Sequence, residues 1–316
     1  MALRVLHCPV NLAGVGWTNV QALRRKGVDA RLLLYARIPS RPDEFDIYVE
    51  RPEGLWRRQP VQLRTLAAVL PETDIFHFYC GLTLVPRKLQ FPILRATRRK
   101  SVFHFLGADI RETPREKLGY GLKADARIVG SYAALRFIPF DAHVVPPGIE
   151  VHRYEPAPPS ESDVIRIVHA PSNKEKKGTE FVVKAVEDLK KRYSVELDVV
   201  HGVRNEDALA RYRRADIIVD QLLRDWHGVF AIEAMALGKP VVTSLDDDAV
   251  RQTEKAFGLE LPILAATKDD LAEKLAWLIE RPEERMRRGA AGRAYVEHVH
   301  DVDQMADRLL VIYNEL

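Results

Sequence analysis

The chain has 316 residues, 47% of them hydrophobic and 29% charged, with a formal net charge of +3. This is the profile of an ordinary soluble globular protein, long enough for two domains with ample core. No apolar run approaches the roughly 18 residues that span a bilayer. Met1–Pro9 is too short for a signal-peptide core, and Cys8 and Cys80 form no metal or disulfide framework. The expectation is a cytoplasmic protein.

Short apolar runs alternate with helical patterns along the chain. Strands are expected at 4–8, 30–35, 75–79, 101–106, 126–129 and 142–145, with helical stretches at 19–26 and 61–68 between them. Pro156-Ala-Pro158-Pro159-Ser160 reads as a linker. The alternation then restarts, with strands near 165–169, 195–201, 217–219, 240–243 and 262–265 and helices at 179–191, 206–213, 229–237 and 269–280. A helical tail follows at 283–314. Repeated β-α alternation means parallel sheets covered by helices on both faces, with ligands at the carboxyl ends of the strands. The expected architecture is α/β: two Rossmann-like domains, 1–152 and 153–298, facing across a cleft, with the tail 299–316 packing back on the first.

Charge divides unevenly. Residues 1–150 hold 23 Lys and Arg against 14 Asp and Glu, whereas residues 151–316 hold 25 against 31. A basic N-terminal half suits an anionic partner. Its densest patch, Arg87-Lys88 with Arg95, Arg98, Arg99 and Lys100, interleaves Leu89, Phe91, Ile93 and Leu94. Such a segment either covers a solvated helix face or makes peripheral membrane contact through lipid headgroups. Nucleic acid is not expected, because the basic residues lack the aromatic interleaving of a recognisable binding module.

The stretch from Asp225 to Val242 (Asp-Trp-His-Gly-Val-Phe-Ala-Ile-Glu-Ala-Met-Ala-Leu-Gly-Lys-Pro-Val-Val) reads as a loop, a helix opening at Gly228 and a turn into a buried strand. A helix N-terminus offers free N–H groups and a positive dipole end to a phosphate. Glu233, inside the helix, suits a diol such as a ribose. The plainer alternative makes Asp225 a helix cap and Glu233 a solvated carboxylate. Near the N-terminus, Gly14-Val-Gly16 follows the first strand and allows the backbone to approach a phosphate. A dinucleotide fingerprint would need a third glycine where Asn19 stands, and an acid near Leu34-Tyr35, which argues against NAD.

These residues resemble the E-x7-E signature of family-4 glycosyltransferases of GT-B fold, with Asp225 in place of the first acid and the Glu-Ala-Met-Ala-x-Gly-x-Pro-Val-Val run intact from Glu233 to Val242. Further segments resemble the same family. Gly107, Asp109 and Arg111 match a His-Gly-x-Asp-x-Arg motif, although Leu106 occupies the histidine position and His104 lies two residues earlier. Pro146-Pro147-Gly148-Ile149-Glu150 matches the strand-to-linker turn. Lys177-Gly178 matches the end of the donor-phosphate loop, where the usual arginine is replaced by the Ser172–Asn173 region. The resemblance covers nearly the whole chain and is weakest over 36–73.

The resemblance implies a retaining, metal-independent transfer from a nucleotide-diphosphate sugar to a glycan, lipid-linked or small-molecule acceptor, with no other cofactor. Asp225, Lys177 and His104 would be catalytic. Gly14, Gly16, Ser172, Asn173, Lys177, Gly228, Val229 and Glu233 would bind the donor, and Asp109 and Arg111 would line the cleft. A binding-only relative, which recognises a nucleotide or glycan without turnover, is the alternative. Asp246-Asp247-Asp248 lacks ligand spacing, so no metal site is expected there.

Overall fold

The computed structural model describes residues 2–37, 43–157 and 162–316. Most of the linker expected at 156–160 therefore lies outside the described residues. The chain divides into two units: Met1–Gly148 with Val302–Leu316, and Ile149–Asp301.

The first segment of unit 1 runs β1 (Arg4–Cys8), α1 (Val15–Arg25), β2 (Asp29–Leu34), β3 (Ile47–Tyr48), α2 (Leu55–Val69), β4 (Ile75–Tyr79), α3 (Arg87–Ala96), β5 (Lys100–Phe105), α4 (Ala108–Arg111), β6 (Ala126–Val129), α5 (Tyr132–Leu135) and β7 (His143–Val144). Unit 2 runs β8 (Ile165–His169), α6 (Lys174–Lys177), α7 (Thr179–Leu189), β9 (Val195–Val199), α8 (Asn205–Arg213), β10 (Ile217–Val219), α9 (Val229–Ala236), β11 (Val241–Thr243), α10 (Asp247–Phe257), β12 (Leu264–Ala265), α11 (Leu271–Ile279) and α12 (Pro282–Val299). The last helix, α13 (Val302–Asn314), belongs to unit 1.

Both sheets are wholly parallel. Unit 1 has the order β3-β2-β1-β4-β5-β6-β7, and unit 2 the order β12-β11-β10-β8-β9. These are the two common doubly wound orders. In such sheets the chain reverses direction of winding between β1 and β4, and between β8 and β10, which opens a crevice beyond the strands' carboxyl ends. Burial on both faces explains why the strands read as continuous apolar runs rather than alternating ones. One layer of unit 1 packs Val20 and Leu23 of α1 with Leu309 and Ile312 of α13. The other packs Phe76, Phe78, Phe103 and Phe105 against Phe91 and Leu94 of α3.

Several elements differ from expectation for local reasons. Helix α1 starts four residues earlier than the apolar pattern suggests, at left-handed Gly14, and buried Asn11 Oδ1 accepts the Trp17 N–H of its first turn at 3.0 Å. The tail is two helices rather than one. His300 leaves helical geometry (φ −112°, ψ 5°), and its carbonyl accepts the Ile149 N–H at 2.8 Å. The run Asp246–Asp248 opens α10, where Asp246 Oδ1 accepts the Ala249 N–H at 2.8 Å. In the basic patch, Phe91 and Leu94 are core residues and Arg99 pairs with Asp74 at 3.0 Å, so only part of that amphipathic face is open to solvent.

Close helix packing depends on glycine at one point near the candidate site. A Cβ on Gly289 of α12 would lie 2.0 Å from the Gly238 carbonyl, just beyond the end of α9. Any side chain there would push α12 off α9.

Candidate functional site

In unit 2 the chain crossing at β8 and β10 brings together the loop into α6 and the loop into α9. Asp220, directly after β10, is 1% exposed and joins them. Its Oδ2 accepts the Gly228 N–H at 2.5 Å, and its Oδ1 lies 3.5 Å from Lys177 Nζ. A buried carboxylate requires such compensation, so it fixes both the lysine and the start of α9. A Cβ on Gly228 would lie 3.3 Å from Lys177 Nζ, which shows how closely the cation approaches the helix start. An ammonium beside the positive end of a helix is a suitable setting for a phosphate.

Asp225 and Glu233 flank this point, both half-buried. The Ser244 hydroxyl donates to Asp225 Oδ1 at 3.4 Å, and the Asp225 carbonyl accepts the Asp246 N–H at 3.0 Å. Gln221 holds the loop between them, donating through Nε2 to the Trp226 carbonyl. The Tyr154 hydroxyl donates to Glu233 Oε1 at 3.0 Å. Arg293 of α12 in turn donates to the carbonyls of Tyr154 and Ala236, tying that tyrosine to the end of α9. Two buried histidines stand behind the site. Burial lowers the pKa of His169, whose ring bonds the Val219 carbonyl and the Thr179 hydroxyl, and takes His227 down to about 4 against the pull of Asp220. Both are neutral near pH 7.

The remaining donor-loop candidates have other roles or weaker placement. Asn173 is occupied as a helix cap, its Oδ1 accepting the Lys176 N–H at 2.8 Å. Ser172, Lys174 and Lys176 are exposed. Val229 is the first residue of α9.

The unit 1 candidates lie at the carboxyl ends of β1 and β5. Gly14 adopts φ 77°, the left-handed conformation that favours glycine. A Cβ on Gly16 would meet Asn11, Leu32 and Tyr79 at 3.2–3.3 Å, so close packing accounts for that residue. His104, expected to be catalytic, lies in the core of unit 1. It is buried, and its Nδ1 lies 3.1 Å from His77 Nε2. His77 Nδ1 bonds the Tyr313 hydroxyl at 2.7 Å, and His7 Nδ1 bonds the Tyr79 hydroxyl at 2.7 Å, where Asn19 also donates at 3.0 Å. Burial lowers all three histidines, His7 and His104 to about 3. A strand period of two puts His104 on the face covered by α1 and α13, and this network satisfies it there.

Asp109 closes the turn after β5, its Oδ1 accepting the Leu106 and Gly107 N–H groups at 3.0 and 2.7 Å. Burial nevertheless raises its pKa. The Arg111 guanidinium lies over Phe137 at 5.3 Å. Sequence reading missed Tyr154 and Ser244, whose partners lie 79 and 19 residues away with no spacing signal. Among the described residues no three His, Cys, Asp or Glu side chains are grouped to hold a metal. No helix among them is long and apolar enough to cross a membrane.

Residues 190–295 match the family model Glycosyl transferases group 1. That stretch carries α9, Asp220, Asp225 and Glu233, and ends within α12. No curated protein matches the chain. Among solved structures, sucrose-phosphate synthase from Thermosynechococcus elongatus is similar at TM-score 0.69 and 15% identity, over 100% of this chain and 99% of that one. Anabaena HepE in complex with UDP-glucose aligns at TM-score 0.68 and 13% identity, over the whole of both chains. A Listeria monocytogenes protein assigned as a UDP-N-acetylglucosamine 2-epimerase aligns at 0.63 and 15%, over 100% of this chain and 98% of that one. At these identities the likeness establishes the fold, two Rossmann-like parallel-sheet units of the kind found in GT-B glycosyltransferases, and this fold also hosts other chemistry.

Proposed function

We propose that the protein is a retaining glycosyltransferase that takes a sugar from a nucleotide-diphosphate donor without a bound metal. The observation that carries this reading is the Lys177–Asp220–Gly228 constellation at the crossing of β8 and β10, inside or beside the stretch that matches the family model. The donor diphosphate would lie at the start of α9, with Lys177 beside it. As the bond to the sugar breaks, negative charge grows on the departing diphosphate, and a preplaced ammonium and helix dipole stabilise it without reorganising. Glu233 would hold the ribose hydroxyls, with the Tyr154 hydroxyl fixing its orientation, and Asp225 would accept hydrogen bonds from the donor sugar. HepE binds UDP-glucose, which makes UDP the first nucleotide to try.

A thermal-shift titration with UDP, GDP, ADP and TDP, repeated on Glu233→Ala, tests the donor site. A ligand that binds only the folded state raises the midpoint by mass action. One nucleotide should raise the wild-type midpoint and leave the variant unmoved, and no shift with any of the four would overturn the donor assignment. Nucleotide binding with no transfer to any acceptor would identify a binding-only relative instead.

A further inference from the structure

Unit 1 holds a surface pocket of about 320 Å³ between the start of α2 and the loop that follows β4, lined by Arg51, Arg58, Arg87, Gln59, Gln62 and Thr83 among others. Three arginines line it, and no Asp or Glu is among the lining residues. Among the described residues none of the three pairs with a carboxylate. Each is instead held by a neutral group. Arg58 Nε donates to the Pro52 carbonyl and Arg87 Nε to the Gly81 carbonyl, both at 3.0 Å. Arg87 also stacks 3.6 Å over Tyr120, and Arg51 lies 4.9 Å over Tyr35, whose hydroxyl is fixed to the Leu84 carbonyl.

Holding Arg58 and Arg87 through Nε leaves their paired Nη groups without a partner among the described residues. That fork matches the oxygens of a phosphoryl group, and an arginine already held in place loses little freedom on binding. Like charges gathered without a counter-ion repel one another, and an anion relieves this. Gly81 is what permits the arrangement. It adopts φ 63°, and a Cβ on it would lie 2.3 Å from the Tyr120 hydroxyl, so only glycine lets this ring sit under Arg87. Leu55 and Leu82, both exposed, give the pocket an apolar wall for the uncharged part of a ligand. The β4 loop also lies at the carboxyl end of a strand beside the β1/β4 crossing, the region of a doubly wound sheet where ligands bind.

We propose that this pocket binds a phosphoryl group. On the reading of the protein as a sugar transferase, that group belongs to the acceptor, which is then a phosphorylated sugar or a phosphate-bearing lipid. The acceptor part of the proposal rests on that reading; the anion site does not.

The test compares wild type with the variant Arg58→Gln/Arg87→Gln, which keeps the side-chain stems and removes both charges. Calorimetric titration with glucose 6-phosphate, with glucose as control, probes a soluble ligand. Co-sedimentation with vesicles of phosphatidylglycerol in phosphatidylcholine, against phosphatidylcholine alone, probes a lipid headgroup. Binding that prefers glucose 6-phosphate to glucose, or the anionic phosphatidylglycerol headgroup to zwitterionic phosphatidylcholine, and weakens at least tenfold in the variant supports the pocket, and the arm that responds names the source. Binding in neither arm, or binding undiminished in the variant, overturns it. The nucleotide titration is run on both proteins in parallel. If nucleotides fail to bind while the phosphate probe binds, the anion site stands and its assignment to an acceptor falls.

Discussion

Each unit places polar side chains at the carboxyl ends of its central strands, yet the two sets serve different ends. In unit 1, His7, His77, Tyr79 and His104 turn inward and meet Asn19 and Tyr313, and nearly every polar atom finds a partner in the core. In unit 2, Asp220 and His169 are buried behind the site, while Lys177, Asp225 and Glu233 keep part of their surface open. The first arrangement spends its hydrogen bonds on holding α1 and α13 to the sheet. The second keeps charged groups at the surface, within reach of a ligand. Position at a strand end is therefore insufficient to identify a site; what matters is whether the polar groups are sealed in the core or reachable from solvent.

That contrast breaks most sharply at Lys177. Replacing it with alanine removes the cation from the proposed diphosphate position and leaves Asp220 buried with one fewer partner. Sugar transfer should fall roughly 100- to 1000-fold, and stability by on the order of 3 kcal/mol, read by a transfer assay and urea unfolding. Lys177→Arg keeps the charge and should recover most of the stability. Equal transfer rates in wild type and Lys177→Ala would remove the lysine from the mechanism.

Acid should act on both units and more strongly on unit 1, since unit 2 has two lowered histidines, His169 and His227, the latter at about 4. The unfolded histidines take up protons near pH 6.5, while folded His7 and His104 resist until about pH 3 and His77 is also well depressed. The unfolded state therefore binds more protons below pH 6.5. Their contribution to stability is complete above that value and is lost as pH falls from 6.5 towards 3, at about 1 kcal/mol per pH unit for each histidine. Urea unfolding at pH 7.5, 6.5 and 5.5 measures this, and a flat profile would mean that the histidines are not held neutral.

A smaller effect separates the two regions by function. Tyr313→Phe strips His77 Nδ1 of its partner 236 residues away and should cost about 2 kcal/mol of stability with nucleotide binding unchanged. Tyr154→Phe should do the reverse, leaving stability nearly constant and weakening nucleotide binding by about 1 kcal/mol through a less well held Glu233. Matching effects of both variants on nucleotide affinity would erase the distinction drawn between the units.

The alternation of apolar runs and helical patterns identified most of the sheet, because strands buried on both faces need continuous apolar sequence. The strands at 75–79, 126–129, 165–169 and 217–219 appear with the expected bounds. Some elements escaped, β3 and the eleven-residue α10 among them, because the two residues of β3 carry no period and because an acidic run conceals a helix cap at Asp246. Within the site, the run from Asp225 to Val242 was legible since a loop, a helix start and a turn lie consecutively. Tyr154, Ser244 and the Arg51–Arg58–Arg87 pocket were not, since each depends on groups brought together by the fold.

Sequence by itself determined two rounds of β-α alternation, a break between them and one contiguous segment suited to a phosphate and a diol. These are local properties, set by periodicity and by the backbone groups a helix start exposes. Only the tertiary structure decided that His104 belongs to a core network, that Asn173 is consumed as a cap, and that Asp220 anchors Lys177 to Gly228. A side chain's role depends on which partners satisfy it, and for these residues the partners arrive from elsewhere in the fold.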